Sequence, residues 1–599
     1  MTKENKTTCM ISKVGDMEQE IQGSTLYAAA SVSSQSPVQP PLIVANPPSD
    51  SGRGLIRVSD CEIRHYSGDK KPLHYIVSRD NGLTWNDEEA SEHYPPNFGG
   101  VAKESPAFTR NPDTNEFMRI QPAADYIFVS KNGLDGSWSA VTTDGKLSSD
   151  WEKERDDLLS FSGILRNPLF IDNGKRLLVP SHDMRKGTVV HISDDGGMTW
   201  HKSKSVVNVP PHQIGAEHKG VRWYNAGVEA SIVELKDGKL WMLLRTSQDQ
   251  HYQSFSTDKG ETWSKAEPSR FFGTLTMITI GKLKDGRLLV LWTNTHALPE
   301  LKTAVDDMWE DVFTNRDSHH AAISSDNGQT WIGFRELILD DHRNRSDYAT
   351  YGGPEDRGMQ QSEFVQLDEN RVLVSIGQHK NHRRMMILDT RWLYEKTRVS
   401  TFSNGLDDWT HHTYIPVIKG HASYNRKPSA LLVAHPENPE AKVMKISFLD
   451  DFDLVNEKSG ADYRRGGATW NFPNGEKGRV NLRFQLPEGS GGARVSLADR
   501  LFNACDSDIT PYALYTVKLE IREKLGSETL RADTWYNLSI CWNGVTKGSS
   551  AELLLNEKPI GILPLNNESP NGASYLHIIS ISDKPDPGLF VERASAHVE

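Results

Sequence analysis

The sequence feature that most constrains the fold is a hairpin motif, Ser-x-Asp-x-Gly-x-Thr-Trp, which recurs along one stretch of the chain. Clear copies begin at Ser78, Ser193, Ser256 and Ser324, and a degenerate copy runs from Ser130 to Trp138, so successive copies lie 52 to 68 residues apart. Within each copy, Ser and Asp can bond nearby backbone, Gly supplies a positive φ and Trp packs on the sheet, so the motif is a self-contained turn. It reads as a structural staple on each repeat and not as chemistry. A second marker, a polar turn between two apolar β-runs, precedes each hairpin, near Asp60, Asn115, Asn173-Gly174, Asp237-Gly238 and Asp285-Gly286. A sixth such turn, at Asp368-Glu369-Asn370, has no hairpin after it. Six four-stranded sheets repeated in this way describe a radial β-propeller, with its ligand site on the axis where the innermost strands converge.

After Arg391 the motif stops. Short alternating β-runs follow, such as Val443 to Phe448, Arg479 to Phe484, Ala513 to Ile521 and Asp533 to Trp542, and they suggest a two-sheet sandwich. The expected fold class is therefore all-β: a six-bladed β-propeller followed by a β-sandwich (jelly-roll) domain. The expected boundaries are a loosely structured Ser/Pro-rich lead-in over 1–50, the propeller over 51–398 and the sandwich over 399–599.

Composition narrows the partners. The net charge of −12 opposes a nucleic-acid partner, because phosphate binding needs a positive surface. An anionic ligand would have to be held by a local arginine cluster. No apolar run is long enough to span a bilayer. Met1 to Gln19 lacks the apolar core of a secretory leader, so the sequence as it stands encodes no export and reads as cytoplasmic; a secreted chain trimmed of its leader would read the same. The four cysteines are too scattered for a metal motif, and Cys505 and Cys541 read as free thiols in preference to a pair. His212, Glu217 and His218 form a loose polar cluster and are not taken as a metal site; no cofactor is expected.

Two charged residues stand out from the repeat: Glu229, at the head of one apolar run, and Arg245, 16 residues later at the end of the next, just ahead of a hairpin. Together with the hairpins and the six units, this arrangement resembles the sialidase superfamily over about Gly54 to Arg391. The sandwich is similar to the concanavalin-like or laminin-G-like jelly rolls attached to glycan-active enzymes. The resemblance implies arginines from several blades gripping a substrate carboxylate, a tyrosine nucleophile partnered by a glutamate, and an aspartate as acid/base. Arg245 and Arg316 match two of the arginines, Glu229 the glutamate, and Glu62 to Asp69 the first-blade stretch that would place Arg64 on the carboxylate and Asp69 as acid/base.

There are two departures. The family's Arg-Ile-Pro is absent, its nearest text being Ile56-Arg57-Val58-Ser59, which leaves Arg57 as a weaker alternative to Arg64. Gln361 stands where the tyrosine is expected, and a carboxamide cannot attack; Tyr224, Tyr252, Tyr348 and Tyr351 are the available substitutes. The resulting expectation is an exo-glycosidase releasing a terminal acidic sugar from a glycan. The alternatives are a uronate lyase drawing its base from His65, His182, His251, His319 or His320, and a glycan-binding protein without catalysis.

Overall fold

The computed structural model describes residues 38, 40–47, 54–66, 74–89, 107–111, 117–120, 126–130, 133–150, 153–161, 163–164, 166–210, 225–273, 275–296, 316, 318–339, 359–377, 383–414, 426–456, 461–506 and 509–599.

Six sheets fill the first part of the chain, taken here as blades 1 to 6. Their innermost strands are Leu55–Arg57, Ala107–Arg110, Leu169–Ile171, Val228–Glu234, Thr279–Lys282 and Glu363–Gln366. Innermost strands of neighbouring blades touch directly: the Ser231 hydroxyl meets both the carbonyl and the N–H of Ile280. Because blades face one another on both sides, their second strands bury side chains on both faces. All six residues of Leu240–Arg245 are buried, even- and odd-numbered side chains going to opposite neighbours. Met242 and Leu244 pack against Leu178 and Val190 of blade 3, whereas Trp241 and Leu243 pack against Val290 and Ala322 of blade 5.

Every pair of consecutive blades shares such a core. Tyr66 and Tyr75 meet Phe128 and Trp138 between blades 1 and 2, Ile127 meets Leu177 between 2 and 3, and Leu289 meets Val372 between 5 and 6. Leu373 and Met385 of blade 6 then meet Leu55 and Ile63 of blade 1, which closes the ring. The outermost strand of blade 6 is Leu42–Ala45, paired to Arg384–Asp389. Part of the expected loose lead-in is thus a strand, and it explains the missing sixth hairpin: the third and fourth strands of that blade are not consecutive in the chain.

The hairpins join the third and fourth strands of blades 1 to 5. In the copy at Ser256, Asp258 accepts from the Ser256 hydroxyl at 2.8 Å and from the Thr262 N–H and hydroxyl at 2.8 and 2.6 Å, while the Trp263 indole N–H donates to the Gly260 carbonyl at 3.1 Å. Gly260 sits at φ +93, with its open side 3.2 Å from Leu178 of the preceding blade, so a side chain there would meet both strain and crowding. The degenerate copy lacks the aspartate; Ser130 bonds the Gly133 carbonyl, and the Trp138 indole N–H donates to the Leu134 carbonyl.

The second unit is a two-sheet sandwich. Asn438–Ile446, Leu589–Val598, Gly478–Gln485, Trp535–Trp542 and Ser550–Leu555 lie in one sheet, and Gly467–Gly475, Ala573–Ser580, Ala493–Ala498 and Tyr515–Leu519 lie in the other. Trp470, Leu482, Ile540 and Leu576 fill the space between them. Thr397–Ser400 already pairs with Leu589–Val598, so the sandwich takes in residues just ahead of 399. Cys505 and Cys541 are free thiols, the former buried.

The two units are joined by buried polar contacts along blade 5. The His320 Nδ1 accepts from the Asn294 N–H at 3.1 Å, which leaves its Nε2–H to donate to the Tyr575 hydroxyl. Tyr575 in turn donates to Glu336 at 2.9 Å, and Glu336 also accepts from Ser318. Asn471 of the sandwich bonds the Phe334 carbonyl and the Glu336 N–H. A relay this fully satisfied holds blade 5 in one register on the sandwich.

Candidate functional site

The two ends of the ring differ. At one end lie the tight polar turns and the hairpins. At the other, the connections are long in sequence, from Trp292 to Ser318 and from Leu339 to Glu363 among them, and here the first strands begin and the second strands end. Long connections around an axis are where a propeller carries function. This end is called the mouth below.

Glu229 lies at the mouth because the innermost strand of blade 4 bulges there. Register slips between Val228 and Ser231, and Glu229 takes φ +50. A bulge of this kind turns a side chain out of the strand's alternation. The turned carboxylate meets Arg245, the last residue of the next strand, with Nη1 to Oε1 at 2.8 Å, both residues being buried. Burial alone would raise the Glu229 pKa, but Arg245, with help from His182 and Arg166, outweighs it and holds the carboxyl below its usual value. Glu229 is therefore ionised at neutral pH. Its Oε2 has no hydrogen-bond partner among the described residues.

Arg316 stands immediately ahead of the third strand of blade 5 and is 1% exposed. Its Nη2 donates to the Leu275 carbonyl at 2.6 Å, and the Leu275 N–H donates to the carbonyl of Thr246, next to Arg245. The structure thus brings Glu229, Arg245 and Arg316 to adjacent blades at one end.

Arg64 does not join them. It lies toward the opposite end of its strand, reaches across to blade 2, forks onto Asp135 at 2.6 and 2.7 Å, and also meets Glu62 and the Tyr66 hydroxyl. Its ion pairs lock two blades together, and that correction removes it from the carboxylate clamp. Arg57 ends the same blade's innermost strand at the hairpin end, bonded to Asn81 and to the Gln366 carbonyl. Asp69 lies outside the described residues, between Tyr66 and His74, the mouth-side ends of their strands.

Two arginines that sequence reasoning passed over are present instead. Arg166, just ahead of the innermost strand of blade 3, is buried and bonds the Glu229 carbonyl, the Ile278 carbonyl and the Thr279 hydroxyl. Arg383, ahead of the third strand of blade 6, is fully buried and bonds the Gly377 carbonyl. Each precedes a blade strand, as Arg316 does, and that shared position was the available signal.

Of the alternative tyrosines, Tyr252 packs against the apolar core between blades 3 and 4, facing away from its neighbour His251, whose ring lies beside Arg166 and Arg245. Tyr224, Tyr348 and Tyr351 lie outside the described residues, as do His212, Glu217 and His218. Of the five histidines considered for a base, His65, His251, His319 and His320 are fully buried, whereas His182 is half-buried, its Nδ1 3.4 Å from the Glu229 N–H.

The fold and repeats define a six-bladed β-propeller with an appended β-sandwich. Residues 126–356 match the family model described as a BNR repeat-like domain. Among solved structures, the chain is similar to a protein of unknown function from Dyadobacter fermentans, at 20% identity over 58% of this chain and 98% of that one, TM-score 0.37. It is similar to the Trypanosoma rangeli sialidase at 12% identity, over 94% and 91%, TM-score 0.36. A third likeness is to the NanB sialidase of Streptococcus pneumoniae, at 13% identity over 60% and 72%, TM-score 0.35. Likenesses this loose assign no residue a role. No curated protein matches the chain significantly.

Proposed function

We propose that the protein is a sialidase-like exo-glycosidase that releases a terminal acidic sugar from a glycan. The observation that carries this reading is the charge balance of the mouth. Among the described residues, Arg166, Arg245, Arg316 and Arg383 are buried at that end against two buried carboxylates, Glu229 and Glu363, in a protein that is acidic overall. Such an excess of guanidinium suits a carboxylate ligand, which a planar fork can grip bidentately. Arg245 and Arg316 are assigned to the sugar's acid group.

Breaking a glycosidic bond builds positive charge on the anomeric carbon. Glu229, kept ionised and with one oxygen unpartnered among the described residues, is suited to stabilise that charge or to activate the attacking group. Asp69 is assigned to protonate the leaving oxygen. With Gln361 at the head of blade 6, the retaining route through a tyrosine is closed at that position, and inversion by carboxylate-activated water fits the residues present. A uronate lyase on the same mouth would draw on His182 for its base, since the other four histidines are sealed from solvent.

Asp69→Asn should cut turnover by at least about a hundredfold while leaving the affinity for the released sugar unchanged, because only the transition state needs the proton. Turnover equal to that of the unaltered chain would sink the role given to Asp69.

A further inference from the structure

Three residues take a left-handed backbone where the chain enters, or is about to enter, an innermost strand: Glu229 in blade 4 at φ +50, Leu275 ahead of blade 5 at φ +50 and Gln361 ahead of blade 6 at φ +59. Side chains avoid this conformation, and it persists only where surrounding bonds impose it. Two of the three have visible uses: Leu275 offers its carbonyl to Arg316, and Glu229 its carboxylate to Arg245.

Gln361 is held by bonds on both sides, yet its own side chain takes no hydrogen bond among the described residues. On one side, the Met359 N–H donates to the Arg316 carbonyl, the Met359 carbonyl receives the His319 Nδ1–H at 2.8 Å, and the Gln360 carbonyl receives the Gly377 N–H. On the other side, the Ser362 hydroxyl donates to His319 Nε2 at 2.9 Å, and the Ser362 carbonyl accepts from Thr279, itself fixed by Arg166. The proton order is consistent throughout: a histidine whose Nδ1 faces a carbonyl must carry its hydrogen there, leaving Nε2 to accept. Gln360 and Ser362 are buried, whereas the Gln361 side chain is half-exposed and has no hydrogen-bond partner among the described residues. Glycine would satisfy this backbone without strain, so the sequence keeps a carboxamide where it costs stability.

We propose that Gln361 is a substrate-reading residue: its carboxamide, one acceptor beside a donor pair, hydrogen-bonds adjacent hydroxyls of the acidic sugar whose carboxylate the arginines hold. This rests on the reading that the mouth binds an acidic sugar. In place of a nucleophile, blade 6 presents a selectivity group on a pinned strand head.

The test is calorimetric titration of the full chain with N-acetylneuraminic acid and with glucuronic acid, together with the Tm, for the unaltered protein and for Gln361→Gly. The expected result is a Tm equal to or above that of the unaltered protein, with affinity for the bound probe lowered about tenfold or more. Unchanged affinity would overturn the proposal while leaving the acidic-sugar reading intact. A fall in Tm together with affinity would mean a structural role and also overturn it. Binding of neither probe by the unaltered chain would overturn both readings.

Discussion

Arg245→Met is expected to destabilise the protein by about 3–5 kcal/mol and to abolish binding of acidic sugars. The stability loss comes from Glu229. Its carboxylate is 8% exposed, sits on a bulged left-handed backbone and takes its single ion pair among the described residues from Arg245. With the guanidinium gone, an ionised carboxylate would remain buried without its only direct ion-pair partner among the described residues. Breaking one half of a buried pair costs of this order because the surviving charge has lost its solvation without compensation. Glu229→Gln combined with Arg245→Met should recover most of the stability, since no charge is then stranded, but it should not recover binding. Denaturant titration of the three proteins checks this. A loss below about 1 kcal/mol in the single variant would show that water reaches the carboxylate and that the pair is not sealed.

The second large effect is acid lability that begins near neutrality. Burial holds His251 and His319 neutral, pushing each pKa down to about 3 from an ordinary 6.5, with Arg166 adding to the effect on both; burial likewise takes His191 and His577 down to about 4. The folded state therefore takes up no proton on these rings across a range in which the unfolded chain does. Their contribution to stability is complete above pH 6.5 and is lost as pH falls from there toward 3 to 4. Each ring contributes a slope of about 1.4 kcal/mol per pH unit inside its window. Glu229, with its pKa lowered by Arg245 despite burial, acts in the same direction further into acid. The Tm should therefore fall steeply between pH 6.5 and 4. A flat profile over that range would mean that the rings are solvated in the folded protein.

What could be read from the sequence was what is local. The hairpin at Ser256 closes its hydrogen bonds within eight residues, and the apolar run Leu240–Arg245 shows its two-sided burial by composition alone, so blades and their number were visible. Glu229 and Arg245 were visible too, because comparison with sister repeats exposed charges that the scaffold does not require. Ring closure was not. Leu42–Ala45 pairs with a strand more than three hundred residues away, and nothing in a short Pro-flanked run announces that partner.

Arg64 shows the same limit at a smaller scale. Its spacing to Asp69 suggested the site, but its partner Asp135 lies 71 residues on, in the next blade's hairpin, and only the packing of two blades brings them together. Arg166 is the converse case: an isolated arginine in sequence, it becomes part of the mouth because its side chain spans three blades to bond Glu229, Ile278 and Thr279. The relay from His320 through Tyr575 to Glu336 likewise joins residues more than two hundred positions apart, so the sequence revealed two units but not how they are fastened.

The most direct test of the proposed function is to follow the full chain by proton NMR as it acts on oligosaccharides ending in sialic acid or in a hexuronic acid. The account predicts that the terminal acidic sugar appears free and saturated, its first-formed anomer inverted relative to the glycoside, and that Asp69→Asn stops its release. An unsaturated sugar acid among the products, or glycans that bind and remain intact, would contradict it.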